Sequence, residues 1–304
     1  MDDVLFIVNP NAGSGRTNRV WSRLCERMPS LRTAKFVQCD SAGSARNAIH
    51  AALTPAIRRV VVLGGDGTLH LTLNVMLAEA RDASRSLGLV PVGTGSDLAR
   101  GLGLDTRPMH ALTQALDDRP TPLDVLHLQS VTHSRYFINE TSLGITAMVA
   151  ARVNALRHRS TGAFLGAALR ELVNYTPKWA RVSLDGQRWR EGYFTMVVVA
   201  NGSHFAKGMR IAPMANAADG MADIIIVEAT SRALLLAWLP TIYLGKHLKA
   251  PFVHCARARS IDIDTGPEQL VFEGDGEVTL PAPGNITVLP GAVLFSGAGQ
   301  HTRT

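Results

Sequence analysis

Three times in its first hundred residues the chain follows a β-branched run with a glycine-rich turn and then a stretch of helical spacing. The turns are Asn9-Pro10-Asn11-Ala12-Gly13-Ser14-Gly15-Arg16, Gly64-Gly65-Asp66-Gly67-Thr68 and Pro91-Val92-Gly93-Thr94-Gly95-Ser96-Asp97-Leu98-Ala99-Arg100. Strand candidates are Val4–Val8, Lys35–Cys39, Val60–Leu63, Leu87–Pro91 and Leu123–Leu128, with helical patterns at Arg19–Met28, Ser44–Leu53, Leu69–Glu79 and Met109–Leu116. This order predicts a doubly wound, mostly parallel sheet with helices on both faces. Ligands of such sheets bind beyond the carboxyl ends of the strands, where these turns sit.

After about residue 128 the pattern changes to short strand-like runs: Tyr136–Asn139, Ala180–Leu184, Tyr193–Ala200, Ala222–Val227, Ser260–Asp264, Gln269–Phe272 and Ile286–Pro290. They predict an antiparallel β-sandwich, interrupted by helices near Met148–Arg157, Ala163–Tyr175 and Ser231–Leu244. Ala292–Phe295 reads as a last, separate strand. At 304 residues the chain suits two domains. They are expected at 1–127, with 293–304 returning to it, and at 128–292.

Composition narrows the function. Three scattered cysteines, Cys25, Cys39 and Cys255, give neither a disulfide framework nor metal-ligand spacing. The start of the chain lacks a basic region and cleavage site, and no apolar stretch approaches the ~20 residues of a membrane span. A cytoplasmic location with peripheral membrane association is expected. The net charge of +6 favours anionic partners. Its basic residues are dispersed, without recognition-helix or zinc-finger spacing, so nucleic acid is not expected.

Each turn has its own chemistry. Glycines bring backbone close to a phosphate, and N–H groups at a helix start point toward it. In the first turn Ser14 adds a hydroxyl and Arg16 a charged donor; an ordinary strand-to-helix turn is the equal alternative. The segment lacks the Gly-Lys-Ser/Thr ending of a Walker loop. In the second turn Asp66 could hold a metal–phosphate unit or a substrate hydroxyl. A helix-capping aspartate would explain Asp66 but not the glycines around it. Convergence of the three turns predicts a nucleotide site.

Two acidic segments lie later in the chain. In Glu273-Gly274-Asp275-Gly276-Glu277 an extended backbone would turn Asp275 and Glu277 the same way, toward a cleft between the domains. A carboxylate that orients and deprotonates a hydroxyl is what phosphoryl transfer needs. An exposed acidic hairpin turn is the plainer reading of that segment alone. Asn216-Ala217-Ala218-Asp219-Gly220-Met221-Ala222-Asp223 is either an oxygen-ligand metal loop or a turn before a strand.

Together these segments resemble the diacylglycerol-kinase catalytic superfamily, in particular its soluble bacterial lipid kinases, to which sphingosine and ceramide kinases are related. The resemblance spans nearly the whole chain and also takes in Gly208-Met209-Arg210-Ile211-Ala212-Pro213 and Gly245-Lys246-His247. It implies ATP and Mg2+ as cofactors. The phosphates would lie on Asn9, Asn11, Gly13, Ser14, Gly15, Arg16, Gly64, Gly65, Asp66, Gly67 and Thr68, with Thr94 and Ser96 nearby. Asp275 is implied as general base, Glu277 as its support and Asp66 as a holder of Mg–ATP. A structural magnesium is implied at Asn216, Asp219 and Met221, partly through main-chain carbonyls, with Asp124 linked to it. Ser96 stands where the family usually has Asn, and Ala206-Lys207-Gly208 where it usually has three glycines.

The expected function is transfer of the γ-phosphate of ATP to a lipid hydroxyl, with diacylglycerol giving phosphatidic acid as the first choice. A sphingoid base or another lipid is an alternative acceptor. So are NAD, since Asn139-Glu140 resembles an NAD kinase pair, and a non-catalytic lipid-binding module. Expected partners are the membrane lipid substrate, an anionic membrane surface and a second copy in a homodimer. Leu234–Leu239, with Tyr243, Lys246, His247 and Lys249 nearby, reads either as a membrane interface or as a buried helix, and the buried helix is the preferred expectation.

Overall fold

The structure is a computed structural model and describes residues 1–39, 42–79, 84–92, 96–155 and 161–299. The chain divides into two compact units, Met1–Leu123 with Gly291–Thr304, and Asp124–Pro290. Both boundaries fall a few residues earlier than expected.

The first unit contains β1 (Val4–Val8), α1 (Ala12–Arg27), β2 (Lys35–Gln38), α2 (Ala42–Ala52), β3 (Arg59–Gly64), α3 (Asp66–Glu79), β4 (Ser86–Pro91), α4 (Asp97–Gly101) and α5 (Pro108–Ala115). The strands lie in the order β2-β1-β3-β4 and all pair in parallel. Every residue of β1 and β4 is buried, as expected for strands covered on both faces. Successive side chains of a strand point to opposite faces. Val4, Phe6, Val8, Val61 and Leu63 pack with Leu24 of α1 and Leu112 and Ala115 of α5. Leu5, Ile7, Val60 and Val62 therefore point the other way, toward α2 and α3, whose Ile49, Leu69 and Leu73 are fully buried. At Gly88 α5 approaches so closely that an added Cβ would lie 2.8 Å from Cβ of Ala115.

The second unit begins within β5 (Thr121–Ser130) and continues with β6 (Ser134–Phe137), β7 (Glu140–Gly144), α6 (Ile145–Asn154), α7 (Thr161–Asn174), β8 (Lys178–Leu184) and β9 (Gln187–Ala200). Then follow β10 (Ala222–Glu228), α8 (Arg232–Trp238), β11 (Val253–Ala258), β12 (Ser260–Asp264), β13 (Val271–Gly274), β14 (Glu277–Pro281) and β15 (Gly284–Phe295). Neighbouring strands within this unit pair antiparallel. Alternation along β9 and β10 builds two apolar layers. Val197, Val199, Ile224 and Ile226 join Leu126, Phe137, Ile261 and Ile286 on one side. On the other side Val198, Ala200 and Ile225 carry Phe205, Met209, Ile211 and Ile242.

Several elements differ from expectation. β7, with sequence Glu-Thr-Ser-Leu-Gly, is polar yet wholly buried, so hydrophobic alternation could not reveal it. β11 and β14 were not expected either. Ile286–Pro290 and Ala292–Phe295 belong to one strand: β15 runs on through Pro290 and Gly291, the latter at a φ of 59°, pairing with β12 at its start and with β4 at its end. The segment expected at Ser231–Leu244 as a buried helix broken at Pro240 is α8 followed by a 3₁₀ turn at Leu239–Leu244, and the break at Pro240 is as expected. No residue of α8 is buried, because only its Leu235 side packs inward. The buried-helix reading is corrected accordingly.

Candidate active site

The first turn is unwound by its own backbone. Gly13, Ser14 and Gly15 have φ of 59°, 60° and 82°, so the α-helical course begins only after them. Gly13 has no substitute, since an added Cβ would lie 2.0 Å from the carbonyl oxygen of Val92. That contact brings the first turn against the start of the third. Asn9 ties the first turn to the second: its Nδ2 donates to Thr68 Oγ1 at 2.8 Å, and its Oδ1 accepts from the Asn11 N–H at 2.9 Å. Arg16 donates from Nε to the Gly13 carbonyl at 2.9 Å, which folds its side chain back over the turn.

The second turn opens α3. The N–H groups of Thr68 and Leu69 both bond the Gly65 carbonyl, so Gly65 stands at the helix start and Asp66 in its first turn. The Asp66 carboxylate bonds beyond its own helix. It reaches the third turn, accepting from the Asp97 N–H at 3.2 Å. Asp97 in turn accepts from Arg100 at 2.7 Å. The three turns are thus one hydrogen-bonded assembly at the carboxyl ends of β1, β3 and β4. Gly93, Thr94 and Gly95 lie outside the described residues. Ser96 is buried and its hydroxyl has no partner among the described residues.

In the second unit, Asp275 occupies the turn between β13 and β14 with φ of 50°, followed by Gly276 at 84°. This left-handed pair breaks the extended alternation that was expected to align Asp275 with Glu277. Glu277 begins β14 and is exposed. The Asp275 carboxylate instead lies over successive backbone N–H groups, accepting from Ile138 at 3.4 Å, Asn139 at 3.3 Å and Glu140 at 3.3 Å. The oriented donors fix where the carboxylate stands.

Beneath it lie two acids whose burial together the sequence did not reveal. Glu140 and Glu273 are both buried, on the adjacent strands β7 and β13. Burial pushes the Glu273 carboxyl up to about 7, with the Asp275 charge adding to it and the Ser142 hydroxyl, 2.5 Å from Oε1, opposing it. Glu140 is raised well above the usual carboxylate range by burial, then by Glu273 and Asp275. Its Oε2 has no partner among the described residues. A charged residue between buried positions of a strand is the signal that could have found them.

Asn201 was also missed. Fully buried, it donates from Nδ2 to the carbonyls of Ile138 at 2.7 Å and Asp124 at 2.9 Å. It therefore links the segment that holds Asp275 to the strand that carries Asp124. Asp124, also buried, accepts from the Gly220 N–H at 2.6 Å, and its own N–H bonds the Ala217 carbonyl at 2.7 Å. Asn216 accepts from the Ala218 N–H at 3.2 Å. Asp219 accepts from the Met221 N–H at 3.1 Å, while its second oxygen is ion-paired with Arg257. No group of three His, Cys, Asp or Glu side chains suited to a metal occurs among the described residues. The loop offers oxygen donors, as a hard cation requires. A cation there would draw on Asp124 and main-chain carbonyls, because Arg257 already neutralises Asp219.

Gly245, with φ of 67°, packs so that an added Cβ would lie 2.4 Å from Pro213 Cγ, and buried His247 bonds the Ile211 carbonyl at 3.1 Å. Burial lowers the His247 pKa. Ala206, Lys207 and Gly208 have φ of 51°, 67° and 104°. Three successive left-handed residues are the reason glycines suit that place.

The chain matches known families along most of its length. Residues 3–128 match the diacylglycerol kinase catalytic domain, and residues 139–296 match the YegS C-terminal NAD kinase beta sandwich-like domain. A diacylglycerol kinase of Mycobacterium tuberculosis (strain ATCC 25618 / H37Rv) is 30% identical over 95% of this chain and 93% of its own length. The diacylglycerol kinase of Staphylococcus carnosus (strain TM300) is 26% identical over 92% of this chain and 90% of its own. A crystal structure of a diacylglycerol kinase from Bacillus anthracis str. Sterne superimposes with a TM-score of 0.71 at 21% identity, covering 97% of this chain and 96% of that one. With both domain types in order and the turn assembly in place, the chain belongs to the diacylglycerol kinase family of lipid kinases.

Proposed function

We propose that this kinase transfers the γ-phosphate of ATP to a lipid hydroxyl, and that diacylglycerol is the acceptor. The observation that supports it most is the Asp275 carboxylate held by three main-chain N–H groups. A carboxylate fixed in this way can take the proton of an incoming hydroxyl without first reorganising. Exposed Glu277 adds negative charge beside it. On the nucleotide side, the left-handed Gly13–Gly15 backbone and the starts of α1 and α3 offer N–H groups to phosphate. Asp66, anchored to Asp97, is placed to help hold Mg–ATP. Magnesium bound with the nucleotide would neutralise the charge that develops on the transferred phosphoryl group. Diacylglycerol is favoured over other lipid alcohols because both relatives described above carry that substrate in their names.

The test is phosphate transfer from labelled ATP to diacylglycerol, sphingosine or NAD, comparing wild type with Asp275→Asn. Diacylglycerol should be the preferred acceptor, and the variant should lose on the order of 10²–10⁴-fold in turnover. An Asp275→Asn enzyme as fast as wild type would remove Asp275 from the role of base. A preference for NAD would remove the lipid reading.

A further inference from the structure

The second unit carries an apolar surface that its own core does not use. On α7, Leu165, Leu169 and Val173 recur every fourth residue and are 41%, 38% and 49% exposed. That spacing puts them on one stripe of the helix. Ala167 and Leu172 of the same helix are buried instead, in a cluster against which Leu235 and Leu239 pack. On α8 and the turn after it, Leu234, Leu236, Tyr243 and Leu244 are also exposed. The two helices do not seal against each other: a cavity of about 130 Å³ opens between them, lined by Ile145, Leu172, Tyr175, Pro177, Arg232 and Leu235. Clustered leucines left in water mark an interaction surface.

Charge identifies the occupant. Residues 229–252 contain no Asp or Glu but carry Arg232, Lys246 and Lys249. Residues 141–177 contain one acid, Glu171, and it is buried and ion-paired with Arg152. Arg170 and Arg232 are exposed, and Arg232 has no ion-pair partner among the described residues. A two-fold dimer through this face would bring like charges together. Apolar side chains bordered by unopposed cations match an anionic lipid surface, where acyl chains take the leucines and headgroups the arginines.

We propose that the exposed faces of α7 and α8 are the surface on which this kinase rests on an anionic bilayer. The inference rests on the lipid-kinase reading, since an enzyme whose acceptor sits in a membrane must meet that membrane somewhere. Sedimentation with phosphatidylglycerol-containing vesicles, and with pure phosphatidylcholine vesicles, tests it in three proteins. These are wild type, the pair Leu169→Ser and Leu236→Ser, and the pair Arg170→Gln and Arg232→Gln. All four side chains are exposed, and unchanged melting temperatures verify the fold.

The leucine pair should lose at least about tenfold in partitioning to both vesicle types. The arginine pair should lose about thirtyfold on phosphatidylglycerol only, with the difference vanishing at high salt. Turnover of dihexanoylglycerol dispersed in solution should remain that of wild type in both. Variants that partition like wild type, or a wild type that does not bind vesicles, would overturn the proposal. So would a leucine pair that turned a dimer into a monomer with vesicle binding intact. Vesicle binding that follows the prediction without turnover of dihexanoylglycerol would sustain the surface and remove the kinase reading instead.

Discussion

Replacing Glu273 by Gln should make the protein more stable at alkaline pH and leave it unchanged at acid pH. Glu273 is 5% exposed, and its carboxyl is raised from 4.5 to about 7, chiefly by burial. In the unfolded chain it ionises near 4.5, while the folded chain holds the proton up to about 7. Its favourable contribution is therefore whole below about pH 4.5 and declines as pH rises toward 7, where the folded state too must carry the buried charge. The loss approaches about 1.4 kcal/mol per pH unit within the window and about 3 kcal/mol in total. Glutamine keeps an oxygen to accept from Ser142 and never ionises. Urea unfolding followed by tryptophan fluorescence reports on this unit, which contains Trp179, Trp189 and Trp238. The variant-minus-wild-type difference, which cancels the opposite contribution of buried His247, should rise from near zero at about pH 4.5 to as much as about 3 kcal/mol at about pH 8. A flat difference, or a variant weaker at alkaline pH, would refute the assignment of a neutral buried carboxyl. Adding Glu140→Gln should remove a further part of the alkaline loss, since burial raises that carboxyl as well.

Other outcomes follow from single contacts. Asp66→Asn removes the charge that accepts from Asp97 N–H, and the KM for Mg–ATP should rise on the order of 10-fold to 100-fold; an unchanged KM would detach Asp66 from the nucleotide. Gly88→Ala would push a methyl group into Ala115 and should cost about 1–3 kcal/mol in thermal unfolding. Ala206→Gly relieves a left-handed residue and should stabilise by up to about 1 kcal/mol. A destabilised Ala206→Gly would mean that the alanine side chain contributes more packing than its backbone stores in strain.

The sequence determined the local order. Strand, glycine turn and helix recur because each turn needs a backbone that other residues resist, so Gly13 and Gly64 announce themselves in one dimension. Apolar runs such as Val60–Leu63 are legible because burial on both faces leaves no polar position. The family followed from several such segments in order. Tertiary structure decided what depends on partners distant in the chain. Asp275 and Glu277 were expected to face the same way, but the left-handed backbone at Asp275 puts its carboxylate on the N–H groups of residues 138–140. Glu140, Glu273 and Asn201 acquired significance only when separate strands brought them together, since neither burial nor charge coupling is written in a residue's immediate neighbours. Leu234–Leu239 shows the same limit. An apolar helix has one sequence pattern whether its leucines are buried or exposed, and only the packing of Leu235 beside exposed Leu234 and Leu236 tells the two apart.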